Sequence, residues 1–227
     1  MYGSKENIMI VFVIAMQKEI APILDKAEIS YDEIICDKRV IKGKLFNKDF
    51  GAVICGVGKV NAACGAQYAI DIMGADCIVN LGVAGGLNNG LEIAGVYAVS
   101  HAVQYDFDLT QLNGTKIGTL DEFKENYLPL TVNSRYPAKR VATGDRFNDS
   151  PADYELLTKT LNADIRDMEC AAIAQTCAHA GVKFRAYKII SDLAGSGSTT
   201  EQYLKNLEKC AHTLENELEN LVKEIYL

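Results

Sequence analysis

Carboxylates stand at three places where apolar, strand-like runs give way to other structure. Glu19 follows the run at residues 8–16, Asp167-Met168-Glu169 precedes a cysteine-rich helical segment, and Asp192 ends the run at 184–191. Taken one at a time, each is explained as an acid favoured at a helix N-terminus by the helix dipole. Taken together, they would place several carboxyl groups on one rim of an α/β sheet, where one can give a proton and another can take one. Ile189, Ile190 and Leu193 flank Asp192, and burial among them raises a carboxyl pKa toward neutrality. Asp192, with Ser191 beside it, is therefore the first candidate for a general acid.

Other chemistries find less support. The segment GVGKV has Lys59 after Gly58, but Val60 stands where a phosphate-binding loop needs Ser or Thr, and Val53 where its first Gly belongs. Gly56 and Gly58 begin a dinucleotide fingerprint that Asn61 interrupts at the third glycine. Gly82, Gly85 and Gly86 fit either a tight turn after a strand or close approach of backbone to a small ligand. No G-x-S-x-G occurs, His179 sits in a helical pattern, and no cysteine stands beside a plausible base, so covalent acyl chemistry is disfavoured. The three histidines and seven cysteines show no zinc-ligand spacing. Phe147 is a loop-packing aromatic or a flat face for a base.

The 227 residues are 48% hydrophobic and 23% charged, the composition of a globular chain of about one domain, 1–227. A net charge of -7 disfavours a nucleic-acid partner. The longest apolar run is too short to span a bilayer, which needs about 20 residues, so no membrane partner is expected. Lys5-Glu6 before it and Gln17-Lys18-Glu19 after it do not suit a secretory leader. The odd number of scattered cysteines reads as reduced thiols of a cytoplasmic protein.

The elements that would position the acids follow from periodicity. Residues 8–16 form a strand buried on both faces, and helical spacing follows through Ile20, Ile23, Leu24 and Ala27. Two apolar stretches around Asn47-Lys48 make a hairpin. A small-residue helix beginning in GVGK, with Ala62, Ala63, Gly65 and Ala66, lies close against the sheet and leads to a strand ending in the glycine turn. Strands follow at 95–104 and 139–143, separated by an irregular stretch at 105–133. A helix at 169–180 and a strand at 184–191 come next. A terminal helix capped at Ser198 or Thr199 buries Tyr203, Leu207, Cys210, Leu214, Leu218, Leu221 and Ile225. Alternating strands and helices give a three-layer α/β/α sandwich around a central mixed sheet.

These pieces resemble the nucleoside phosphorylase and nucleosidase superfamily, most closely the 5'-methylthioadenosine/S-adenosylhomocysteine nucleosidases. The resemblance runs through AMQKEI, GVGKVNAA, NLGVAGGL, DFDLT, ATGDRF, DMECAAIA and IISDLA, over nearly the whole chain. It implies a nucleoside phosphorylase-like fold and hydrolysis of adenine nucleosides. Glu19 would activate the attacking water, Glu169 would bind the ribose hydroxyls, and Asp192 would protonate N7 of adenine with Ser191 orienting it. Met168 would pack on the ribose and Phe147 on the base, with Asn148, Val83, Ala84 and Gly85 completing the substrate pocket. It implies no cofactor, no metal, a purine nucleoside as the small-molecule partner, and a homodimer whose neighbour closes the pocket through residues 105–115.

Departures from the family pattern are Val83 for Ser, Asn148 for an aliphatic residue, Lys188 for Arg and Tyr105 for His. Thr199 or Thr200, with Tyr203 nearby, stands where an aromatic group serves the 5'-substituent. All six arginines lie outside GVGK and GVAGGL, which favours water over phosphate as nucleophile, since an unpaired anion in a dry pocket is costly. Phosphorolysis and a non-catalytic nucleoside-binding protein are the alternatives. The latter predicts loss of the acids, all of which are present.

Overall fold

The computed structural model describes residues 8–88 and 90–226. Lys5 and Glu6, used above in reading the amino terminus, lie outside them. In chain order the first half holds β1 (Ile10–Ile14), α1 (Gln17–Leu24), β2 (Ala27–Ile35), β3 (Lys38–Leu45), β4 (Lys48–Ile54), α2 (Lys59–Asp71), β5 (Cys77–Gly86) and β6 (Val96–Gln104). The second half holds α3 (Thr110–Asn113), β7 (Leu128–Pro129), β8 (Ala138–Thr143), α4 (Pro151–Glu155), β9 (Ile165–Asp167), α5 (Cys170–Ala180), β10 (Lys183–Leu193) and α6 (Thr199–Ile225).

The strands form one mixed ten-stranded sheet. β1 lies at its centre, parallel to β4 on one side and β5 on the other. Its five residues are all buried, and their alternation divides the core. Ile10, Phe12 and Ile14 pack toward α1 and α6, with Ile20, Ile23, Leu214 and Leu218. Val11 and Val13 pack toward α2 and α5, with Ala62, Ala66, Ala171 and Ile173. Helices thus cover both faces, which is why the strand reads as a continuous apolar run. The α/β/α layering and mixed sheet are as expected.

Beyond β5 the sheet curls. β10 pairs with β5 in parallel and with β6 in antiparallel fashion, while β6, β8 and β9 lead back to β5. The carboxyl ends of β1, β5 and β10 and the short β9 are thereby drawn to one edge of the molecule.

Several boundaries differ from expectation for identifiable reasons. Ala27 begins β2 instead of continuing α1, which ends at Leu24. β2 itself is not legible in the sequence, because it is an edge strand with seven consecutive exposed residues and shows no apolar face. The hairpin turn is Phe46-Asn47, both left-handed with φ of 48° and 62°, one residue before the pair expected. A helix at α4 continuing as a π-helical turn, Leu156–Thr160, was also not expected. The 105–133 stretch is irregular as expected, apart from the one-turn α3 and the two-residue β7.

The small residues of α2 serve close packing. A Cβ on Gly65 would lie 2.6 Å from Cβ of Cys55 and 3.3 Å from Cγ1 of Val13. Gly65→Val is expected to lower stability by about 1–3 kcal/mol through overpacking, read as a lower urea midpoint with an unchanged m-value.

Candidate active site

Glu19 belongs to the first turn of α1, where its Oε2 accepts the Met16 N–H at 3.1 Å. That is the helix-capping role any acid there would serve. Its Oε1, however, accepts the Val83 N–H of β5 at 2.9 Å, tying the helix to the glycine-containing strand. The side chain is buried, and burial raises its pKa, opposed by the Val83 N–H, the Lys188 charge and the Met16 N–H.

The acids at 167 and 169 divide their work. Asp167 caps α5, accepting the Cys170 N–H at 2.9 Å, and also accepts the Thr143 hydroxyl at 2.5 Å. Its charge is met by Lys188 Nζ at 2.7 Å, which in turn donates to Asn80 Oδ1 at 2.7 Å. Glu169 is relieved of capping, and its Oε1 accepts the Gly58 N–H at 2.9 Å across the cavity mouth. Burial first, then the charge of Asp167, push the Glu169 carboxyl up to about 7 against the pull of Lys188.

Asp192 is placed by a β-bulge. In the pairing with β5, Ile190 registers with Ala84 and Asp192 with Gly85, leaving Ser191 as the extra residue. Ser191 donates its hydroxyl to Asp192 Oδ2 at 2.8 Å. Asp192 Oδ1 is buried and, among the described residues, has no hydrogen-bond partner. Burial raises the Asp192 pKa, opposed by the Ser191 hydroxyl and the charge of Arg166.

The three acids line one cavity of about 390 Å³, together with Ser191, Met168, Val83, Ala84, Gly85 and Phe147. Phe147 is half-exposed and meets Tyr203 edge-on, ring centroids 5.6 Å apart. Asn148 is the exception among the expected residues, because its side-chain amide turns away to donate to Asp153 at 2.9 Å. Only its carbonyl faces this region, where it accepts from Arg166 at 2.7 Å. Of the candidates near the 5'-substituent, Tyr203 reaches the cavity. Thr199 instead is buried between Arg166 and Asp149, and Thr200 is exposed. Tyr105 is packed against Gly144, away from the cavity lining.

Two readings of the sequence need correction. Gly82, Gly85 and Gly86 lie within β5 and form no turn. The close approach they permit is by the chain's own side chains: a Cβ on Gly82 would meet Glu19 Oε1 at 2.7 Å, and one on Gly85 would meet Arg166 Nε and Asp192 Oδ1, each at 2.9 Å. The arginines are distant from GVAGGL only along the chain, for Arg166 is the registered β9 neighbour of Gly85. Arg166 and Arg146 both line the cavity, as do Ala15, Met16 and Val57. The alternation of Ile165, Arg166 and Asp167 in a short strand was the available signal for Arg166.

A model of the phosphorylase superfamily matches residues 9–225. The 5'-methylthioadenosine/S-adenosylhomocysteine nucleosidase of Geobacillus sp. (strain WCH70) is 30% identical over 211 residues, covering 86% of this chain and 90% of that protein. The Helicobacter pylori nucleosidase of the same name, solved with a 4-amino-pyrrolopyrimidine ligand, superposes with a TM-score of 0.87 at 25% identity, covering 96% of this chain and 99% of the other. The futalosine hydrolase of H. pylori superposes equally well, TM-score 0.87 at 25% identity, covering 97% and 100% of the two chains. The fold and the match along the chain are those of the phosphorylase superfamily. Within it, the chain belongs to the 5'-methylthioadenosine/S-adenosylhomocysteine nucleosidase family.

Two outcomes follow from the geometry. Gly82→Ala displaces the Glu19 carboxylate while leaving room for the backbone, so nucleoside cleavage is expected to fall about 10²-fold or more with the melting temperature shifted by only a few degrees. Steady-state kinetics and thermal melting check both. A Glu169 pKa raised on folding means that the native state holds more protons than the unfolded state between about 4.5 and 7. Stability therefore falls as pH rises through that window, by up to about 1.4 kcal/mol per pH unit. Glu169→Gln is expected to flatten that slope in urea titrations at successive pH values.

Proposed function

We propose that this protein hydrolyses the N-glycosidic bond of adenine nucleosides such as 5'-methylthioadenosine and S-adenosylhomocysteine, releasing adenine and the ribosyl product. The observation that carries the reading is the gathering of Glu19, Glu169 and Asp192, with Ser191, around one cavity.

Cleavage of such a bond passes through an oxocarbenium-like state. Asp192, whose pKa is raised by burial, gives its proton to N7 as the C1'–N9 electron pair moves onto the base. With Oδ2 accepting from the Ser191 hydroxyl, Oδ1, which faces Arg166 at 3.5 Å, is the oxygen that carries that proton. Glu19 accepts a proton from water as the water oxygen bonds to C1'. Each transfer contributes about 10²–10⁴-fold. Glu169 holds the ribose hydroxyls, and Met168 packs beside them. Phe147 offers its ring to the base, and Val83, Ala84 and Gly85 form the adjoining wall. The two ends of the reaction are spaced along β5: Glu19 bears on Gly82 and Asp192 on Gly85, about 10 Å of extended chain apart.

The same polarity argues against phosphate as nucleophile. Arg166 stands at the acid's end, its Nη2 3.5 Å from Asp192 Oδ1. Arg39 is held in a pair with Asp32 at 2.6 Å and donates to Gln17 at 2.8 Å. The nucleophile's end is instead occupied by the Glu19 carboxyl, which would repel a phosphate dianion. The chemistry calls on no metal or organic cofactor.

We further propose a cytoplasmic homodimer. Exposed Val57 on the cavity rim and the exposed Val60 and Leu112 support the dimer. The Lys59–Asp106 ion pair, 2.5 Å, ties the start of α2 to the 105–115 segment that carries Leu112. Among the described residues, no helix is long and apolar enough to cross a membrane.

Asp192→Asn is expected to lower kcat for 5'-methylthioadenosine by at least 10²-fold while adenine still binds. In the wild type, the activity is expected to show a bell-shaped pH profile, Glu19 ionisation setting the acid limb and Asp192 deprotonation the alkaline limb. Full activity in the variant would remove the proton-donor assignment, and base release that rises with phosphate would replace hydrolysis by phosphorolysis.

A further inference from the structure

The guanidinium of Arg166 occupies a corner of the cavity that nothing in the proposed reaction uses. Its side chain is only 14% exposed. Nη1 donates to the Asn148 carbonyl at 2.7 Å, Nη2 donates to the Thr199 hydroxyl at 2.8 Å, and Nη2 stands 3.5 Å from Asp192 Oδ1. Thr199 is itself fixed, donating its hydroxyl and its backbone N–H to Asp149. The fork is therefore held on one side by built-in acceptors, with Asp192 Oδ1, its ion-pair partner, on the other.

A guanidinium has five N–H donors and no acceptor. The Asn148 carbonyl and Thr199 hydroxyl, which could have accepted from a ligand, already accept from Arg166. What this corner offers a base is an excess of donors. On a purine, N7 and the substituent at C6 share one edge. A 6-oxopurine presents two acceptors there, whereas adenine presents one acceptor and an amine, and arginine pairs with the former edge. If Asp192 addresses N7, the neighbouring substituent faces Arg166.

We infer that Arg166 is a specificity-determining residue that extends this site to purine nucleosides carrying a carbonyl at C6, such as inosine derivatives. The inference rests on the nucleosidase reading above and deepens it to the choice of base. An amine opposite the fork meets hydrogens with hydrogens, while a carbonyl oxygen gains a charge-assisted bond. Neither Val83 nor Phe147, both apolar, discriminates between the two bases at this position.

The test compares 5'-methylthioinosine with 5'-methylthioadenosine, following hypoxanthine and adenine release by chromatography. The wild type is expected to release hypoxanthine with a kcat/KM within tenfold of that for adenine release, and a lower value overturns the inference. Arg166→Met is expected to reduce the hypoxanthine-to-adenine ratio of kcat/KM by about 10- to 100-fold. The ratio cancels any common effect on Asp192, and an unchanged ratio overturns the inference. Arg166→Lys, which keeps the charge but not the fork, is expected to lose most of the same preference and serves if the methionine variant does not fold. If neither variant folds, competition of free hypoxanthine and adenine for the wild-type site decides. Hypoxanthine competing within tenfold of adenine supports the assignment, and weaker competition overturns it. If the wild type cleaves neither nucleoside, the nucleosidase reading fails, and the same free-base competition decides the role of Arg166.

Discussion

The buried ammonium of Lys188 is the charge on which the rest of the site depends. The four carboxyl groups that line the cavity, Glu19, Asp167, Glu169 and Asp192, would repel one another strongly in a medium of low polarity. Burial works against the Lys188 charge, yet the carboxylates of Asp167 and Glu169 outweigh it and hold the ammonium protonated. It pairs directly with Asp167 and pulls down the pKa of both Glu19 and Glu169. The Lys188 charge thereby offsets part of the cost that burial puts on ionising Glu19 and Glu169. The pair is fully enclosed, with 2% and 1% of the two side chains exposed. Its worth is thus in setting protonation states more than in net stability, since burying two charges costs about as much as their attraction returns.

This arrangement explains how each acid escapes the ordinary fate of a helix-terminal carboxylate. Asp167 takes over the α5 N-terminus, and Glu169 is left to reach Gly58. Glu19 does cap α1, but with one oxygen only, and the other spans to β5. The division uses backbone N–H groups as the fixed points. The side chains are thereby oriented by the least mobile parts of the fold.

Much of this was legible in the sequence because it rests on local pattern. The apolar run of β1, the small residues of α2 and the capped amphipathic α6 each follow from periodicity alone. The three acids were found because each ends or begins such a pattern. Arg166 was not, because its place beside Gly85 is a matter of strand register, and no linear spacing encodes which residues of β9 and β5 face each other. The glycines of β5, which the sequence left open between a turn and close approach to a ligand, are neither for a related reason: what they accommodate is side chains from α1, β9 and β10, which only the assembled sheet brings near. Asn148 was assigned through the family resemblance, but Asp153, brought round by α4, draws its side chain away.

In a regular pleat, adjacent residues point to opposite sides, so a hydroxyl and the acid it steers could not both serve one pocket from consecutive positions. The irregularity at Ser191 breaks that rule for a single step. The donor and its aligning partner thus travel as an indivisible dipeptide, and an insertion or deletion anywhere upstream in the strand would swing both out of reach together. The count of residues between β10's first ladder contact and its last therefore fixes where both side chains point.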